Sequence, residues 1–268
     1  MRIPDALRKP HTIVEIFIVG NLAFLAVDVY VAHLTNAFER RPEWLPVIFS
    51  IAAPLLLLIV ANRLTGMLVG WLSLLVGIGG MLYHLQSHFF AEQTIRNLVY
   101  TAPFVAPLAY AGLGMLLILD RMTDPDSLEW AQWILFLALG GFAGNLALSL
   151  ADHAQNGFFN RGEWVPVVAA ALACAFLVTL VVRPTDRALW RWTAWIMVLQ
   201  VLVGTAGFAL HLRANLLRPA PNVLERFLYG APVFAPLLFA NLAILAGIGM
   251  WGIRICGSST AQTDTPAN

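Results

Sequence analysis

The chain has 268 residues, of which 59% are hydrophobic and 12% charged, with a mean hydropathy of +0.75 and a net charge of +1. Soluble domains carry roughly a quarter charged residues, so an ordinary water-exposed surface is excluded and lipid is the fitting solvent. The near-neutral balance, with no basic run, leaves nothing for nucleic acid to bind.

A spanning helix needs about 20 mainly apolar residues. Eight segments meet that need in chain order: Thr12–Asn36, Trp44–Ala61, Gly66–His88, Leu98–Leu119, Trp130–Asn156, Trp164–Val182, Trp190–Arg213 and Phe227–Ile253. The basic opening with Arg2, Arg8 and Lys9 resembles the start of a signal peptide. No small-residue cleavage site follows at a suitable distance, which predicts a retained first helix. Trp44, Trp130, Trp164, Trp190 and Trp192 stand at segment ends, where interfacial aromatics belong. Pro46 and Pro166 fall in first helical turns, where a missing N–H costs nothing. The polar tail Gly257–Asn268 predicts disorder. Cys174 and Cys256 make neither a disulfide frame nor a zinc site and read as small apolar residues.

The chain repeats itself. His33, Asn36, Phe38, Arg41, Glu43, Trp44, Pro46 and Val47 recur 120 residues on as His153, Asn156, Phe158, Arg161, Glu163, Trp164, Pro166 and Val167. Gly77, Gly80, His84 and Leu85 recur as Gly204, Gly207, His211 and Leu212. Tyr100, Pro103, Pro107 and Leu108 recur as Tyr229, Pro232, Pro236 and Leu237. Three blocks in one order predict an all-α integral membrane protein of eight spans, built as two tandem four-helix repeats over 12–120 and 130–254. An even number of spans per copy makes the repeats parallel, related by an axis along the membrane normal. Nine basic residues on the side of the termini against seven on the other favour cytoplasmic termini, and a bacterial inner membrane is the expected location.

The chemistry worth seeking lies in four histidines. His33, His84, His153 and His211 sit near the far ends of the first, third, fifth and seventh spans, which run in one direction. They should therefore share a depth, and first and third helices face each other across a bundle core. A facing pair is able to ligate a haem iron from both sides, with ring nitrogens about 4 Å apart. Up to two b-type haems are then expected, one per repeat. Gly77 and Gly80 lie seven and four residues before His84, as Gly204 and Gly207 do before His211. They share a helical face with the histidine and would either clear room for a macrocycle or let helices approach closely. Arg41, Arg96, Arg161 and Arg226 lie near the same face, as propionate partners or as headgroup and loop contacts. Asp28 reads as the only carboxylate well inside a span and has no counterpart in the second copy. The paired Pro103/Pro107 and Pro232/Pro236 predict kinks in the fourth and eighth spans. His11 and His88 fall outside the pattern and read as structural.

No Walker loop, dinucleotide fingerprint, His-Glu-x-x-His or serine elbow is present, which speaks against soluble-type catalysis. The layout resembles that of haem A synthase, two tandem four-helix bundles with a histidine pair near the outer face of each. That family carries its histidines on even-numbered helices, with a Glu-x-x-His-Arg signature; here they are on odd-numbered ones and the signature is missing. The resemblance implies a duplicated haem-binding bundle and does not extend to that enzyme's reaction. Three functions follow from these residues: an electron-transfer subunit holding b-type haem and meeting membrane or periplasmic redox partners; a cofactor-free accessory subunit of a larger complex; or a small-solute or metal-ion transporter.

Overall fold

The computed structural model describes residues 9–263, with side chains as far as Cys256. The helices are α1 (Pro10–Leu34), α2 (Trp44–Ile59), α3 (Arg63–Leu85), α4 (Ile95–Tyr100), α5 (Leu108–Met122), α6 (Leu128–Gln155), α7 (Trp164–Val182), α8 (Arg187–Leu217), α9 (Val223–Leu228) and α10 (Leu237–Thr263). One-turn 3-10 segments, Arg41–Glu43 and Arg161–Glu163, lead into α2 and α7. Among the described residues there is no strand. The backbone of α10 enters the polar tail expected to be disordered; residues 264–268, like Arg2 and Arg8, lie outside the described residues.

Seven helices are long and apolar enough to cross a membrane, and the protein is a multi-pass, membrane-embedded helical protein. Large side chains face outward along them: Leu58, Ile59, Leu75, Leu202 and Leu210 are all more than half exposed. Water would not tolerate such a belt, whereas lipid tails do. The inward stripes keep helical spacing. Val14, Ile18 and Leu22 on α1, and Trp130, Ile134, Ala138 and Phe142 on α6, are almost wholly buried. Side chains cap several helix starts: Asn62 bonds Thr65 N (2.8 Å), Ser127 bonds Trp130 N (3.1 Å), and Asp186 bonds Ala188 N and Leu189 N (2.9 and 3.0 Å).

The expected fourth span, Leu98–Leu119, is not one helix. It divides into α4, a non-helical stretch and α5, whose 15 residues rise only about 22 Å. The expected eighth span, Phe227–Ile253, divides in the same way into α9, a break and α10. The expected kinks are therefore breaks. Proline at both ends of a four-residue step explains them: Pro107 has no N–H to offer the Pro103 carbonyl, nor Pro236 to offer that of Pro232.

The two halves pack reciprocally. α1 lies against α9 and α10, while α6 lies against α4 and α5. Asn21 on α1 and Asn241 on α10 exchange amide hydrogen bonds across this boundary (2.5 and 3.3 Å). At the other seam the Gln155 side-chain amide donates to Val99 O (2.7 Å). Asp28 is not the lone carboxylate within the helices: Glu15 lies in α1 and Asp152 in α6, and Asp120 in α5 is 9% exposed. Asp120 is satisfied by Arg121 (2.9 Å) and by the Trp130 indole N–H (3.3 Å), and Arg121 also reaches Glu15 (2.5 Å).

Candidate metal centre

Each copy carries its first histidine on the last turn of a long helix that ends in a tight left-handed turn. Phe38 N donates to His33 O (3.3 Å) and Phe158 N to His153 O (3.1 Å). Ala37 (φ 55°) and Phe38 (φ 54°) match Gly157 (φ 68°) and Phe158 (φ 50°). Phenylalanine rarely takes that conformation, and packing holds it here in both copies. Phe38 stacks on Trp44 with ring centroids 4.0 Å apart, and Phe158 on Trp164 at 4.1 Å. Each phenylalanine ring also meets the histidine: His33 at 6.0 Å and His153 at 6.1 Å.

The second histidine of each copy is positioned by a broken helix. His84 Nδ1 bonds Pro103 O (2.9 Å), and His211 Nδ1 bonds Pro232 O (2.8 Å). These are the carbonyls whose donor four residues on would be a proline, Pro107 or Pro236; Pro103 O also accepts from Ala106 N (3.2 Å). Thr101, Ser87 and the Ala102 N–H hold the first break to the end of α3 (2.8–3.0 Å). Asn215 bonds both N and O of Ala231 at the second (2.8 and 2.9 Å).

The structure brings His33 and His84 together, with ring centroids 6.2 Å apart and planes at 60°. His33 Nδ1 bonds Val29 O (2.9 Å). A carbonyl only accepts, so Nδ1 carries a proton on both rings, and in the neutral imidazole Nε2 is the nitrogen with the lone pair. In the second copy His211 lies within electrostatic reach of His153, and His153 Nδ1 faces Glu163 Oε2 at 3.7 Å. All four histidines are half-buried.

No family model, curated protein or solved structure matches the chain. What it binds is therefore argued from this geometry alone.

An ion between two imidazoles separates their centroids by two metal–nitrogen bonds of about 2 Å and two ring radii of about 1.2 Å, or roughly 6.4 Å when the ligands are opposed. The 6.2 Å between the His33 and His84 centroids is close to that separation, with the ring planes at 60°. The glycine faces beside the histidines are closely packed. A Cβ on Gly77 would collide with Ala111 N and reach Pro107 O at 2.9 Å; one on Gly80 would reach Pro107 Cβ at 2.8 Å. On the second copy Gly204 meets Pro236 O at 2.9 Å and Gly207 meets Pro236 Cβ at 2.8 Å. The glycine faces are thus filled by α5 and α10, which corrects the open face the haem reading needed. A cavity of about 10 Å³ is lined by Thr101, Pro103 and Asp152, and an apolar groove of about 300 Å³ lies between α7 and α8; none of the four histidines lines either.

The arginines do not converge on the pairs. Arg41, Arg96 and Arg161 are exposed, and Arg226 gives its Nη1 to Leu216 O (2.8 Å). In the sequence Glu43 and Glu163 stand out only as members of the repeated block. Glu43 is 7% exposed, its Oε1 accepts from Asn36 Nδ2 (3.2 Å), and its Oε2 is buried without a hydrogen-bond partner. Glu163 Oε2 is buried and lacks a hydrogen bond in the same way. Their recurrence in the repeated block was the available signal.

Proposed function

We propose that the protein is a membrane redox subunit in which each of two parallel four-helix repeats holds one transition-metal ion through a histidine pair: His33 with His84, and His153 with His211. One observation carries the reading: two imidazoles 6.2 Å apart, each with Nδ1 committed to a backbone carbonyl and Nε2 left for a ligand. The protein part of such a centre is to fix the donors and exclude water, while the ion supplies the redox chemistry.

Eight passages and a parallel duplication support the same arrangement. α4 with α5, and α9 with α10, complete the fourth and eighth crossings. The reciprocal packing of α1 on α9–α10 and of α6 on α4–α5 is what a twofold axis along the membrane normal produces. On this reading the termini are cytoplasmic, the membrane is a bacterial inner membrane, and both centres lie towards the far face. Electrons then pass to membrane or periplasmic partner subunits.

The second reading keeps b-type haem at the same pairs, and the 6.2 Å separation of the His33 and His84 centroids supports it. It requires α5 and α10 to move away from the glycine faces of α3 and α8. Absorption spectra of the purified protein, oxidised and dithionite-reduced, separate the two. Reversible changes from a non-haem metal support the first reading, and sharp reduced α-bands replace it with the second. Protein free of metal and haem leaves a structural subunit.

A further inference from the structure

We propose that Glu163 is a positioning residue of the second centre: its carboxylate accepts a hydrogen bond from Nδ1 of His153, fixes Nε2 as the nitrogen left for the metal, and makes the second ion differ from the first. This rests on the histidine-pair reading above and adds no ligand to it.

The turn that joins the two residues brings them together. His153 stands in the last turn of α6, Gly157 and Phe158 turn the chain with positive φ, and the segment Arg161–Glu163 leads it into α7. The Asn160 side chain caps that segment through Gly162 N (2.9 Å), and the Phe158–Trp164 stack pins it at 4.1 Å. Glu163 is thereby set against the end of α6, with Oε2 3.7 Å from His153 Nδ1 and both side chains largely buried.

A carboxylate oxygen closed off from water needs a donor. Glu163 Oε2 is buried without one, and His153 Nδ1 is the nitrogen that faces it. A charge-assisted N–H···O bond spans about 2.7–2.9 Å, so a side-chain rotation that closes about 1 Å satisfies both groups. The first copy places the matching residues differently. His33 Nδ1 bonds Val29 O (2.9 Å), and Glu43 Oε1 accepts from Asn36 Nδ2 (3.2 Å). His84 and His211 also bond backbone carbonyls through Nδ1. His153 is thus the histidine whose Nδ1 faces a carboxylate instead. A carbonyl orients the ring. A carboxylate also makes the imidazole a stronger donor, which favours the more highly charged, oxidised ion. The second centre should therefore bind metal more tightly than the first and at a lower potential.

The test uses the full-length protein in detergent with nitrogen-15-labelled histidine. In metal-free protein at about pH 8, where an imidazole is neutral, the nitrogen shifts report which ring nitrogen carries the proton. The His153 signal is the one lost in His153→Ala. Wild type should carry the proton on Nδ1. Glu163→Gln keeps an acceptor oxygen and should leave it there, whereas Glu163→Leu should move it towards Nε2. A His84→Ala background then isolates the second site for copper. There Glu163→Leu should weaken Cu²⁺ binding by about 10–100-fold, and Glu163→Gln by less. Glu163→Gln should also raise the copper potential; about a tenfold loss of preference for Cu²⁺ over Cu⁺ corresponds to about 59 mV. Far-ultraviolet circular dichroism checks folding, and the wild-type tautomer gives an answer even if the leucine variant misfolds. A wild-type His153 protonated on Nε2, or a tautomer and potential that the Glu163 variants leave unmoved, would overturn the role of Glu163 and leave the histidine pairs standing. Protein with the expected tautomer that takes up no metal would overturn the pairs, and with them the difference between the two ions.

Discussion

Replacing Gly77 by alanine adds one methyl group to α3 where α5 lies closest. That methyl would strike Ala111 N and stand 2.8 Å from Ala111 Cβ and 2.9 Å from Pro107 O. Carbon atoms prefer about 3.5–4 Å, so the two helices must part by roughly 1 Å. Two of the three obstacles are backbone atoms and cannot rotate aside, which puts the cost near the upper end of the usual 1–3 kcal/mol for overpacking. Alanine returns about 1 kcal/mol in helix propensity, leaving a net loss of about 2 kcal/mol. Gly79→Ala is the control, because a Cβ there meets nothing within 4 Å, and it should be neutral or stabilising by up to about 1 kcal/mol. The difference of about 2–3 kcal/mol would be read by unfolding the metal-free protein in mixed micelles with increasing SDS. If Gly77→Ala and Gly79→Ala unfold together, α5 does not fill this face, and the case against a macrocycle beside His84 fails with it.

Three other outcomes follow from the same geometry. Pro107→Ala restores an N–H four residues after Pro103 and competes with His84 for its carbonyl; metal affinity at the first site should fall about 10-fold with the second unchanged, and equal affinity at both would contradict the role given to the break. Ala37→Gly, copying Gly157, should raise thermal stability by about 0.5–1 kcal/mol by relieving the left-handed backbone at φ 55°, and a loss of stability would show that Ala37 is held by something else. Reporter fusions after Ile253 and within Glu92–Asn97 should report opposite sides of the membrane; agreement between them would show that α4–α5 does not complete a crossing.

The histidines are legible because a repeat makes identities between copies visible. Their immediate partners are not. The Pro-x-x-x-Pro spacing reads as two kinks, although it also implies a carbonyl without an N–H four residues on; His84 and His211 donate to those carbonyls, and Ala106 N–H shares the first. Glycine placement alone allowed either a cofactor face or a close helix, and only the neighbour across the gap decides between them. Glu43 and Glu163 look like ordinary interfacial acids until their burial is known.

The central claim is that each histidine pair holds one metal. Elemental analysis of the purified, metal-loaded protein measures this directly. The account predicts about two ions per chain in the wild type, about one in His84→Ala, and none in His84→Ala combined with His211→Ala, one ion being lost with each pair. A metal content that the double substitution leaves unchanged would contradict it.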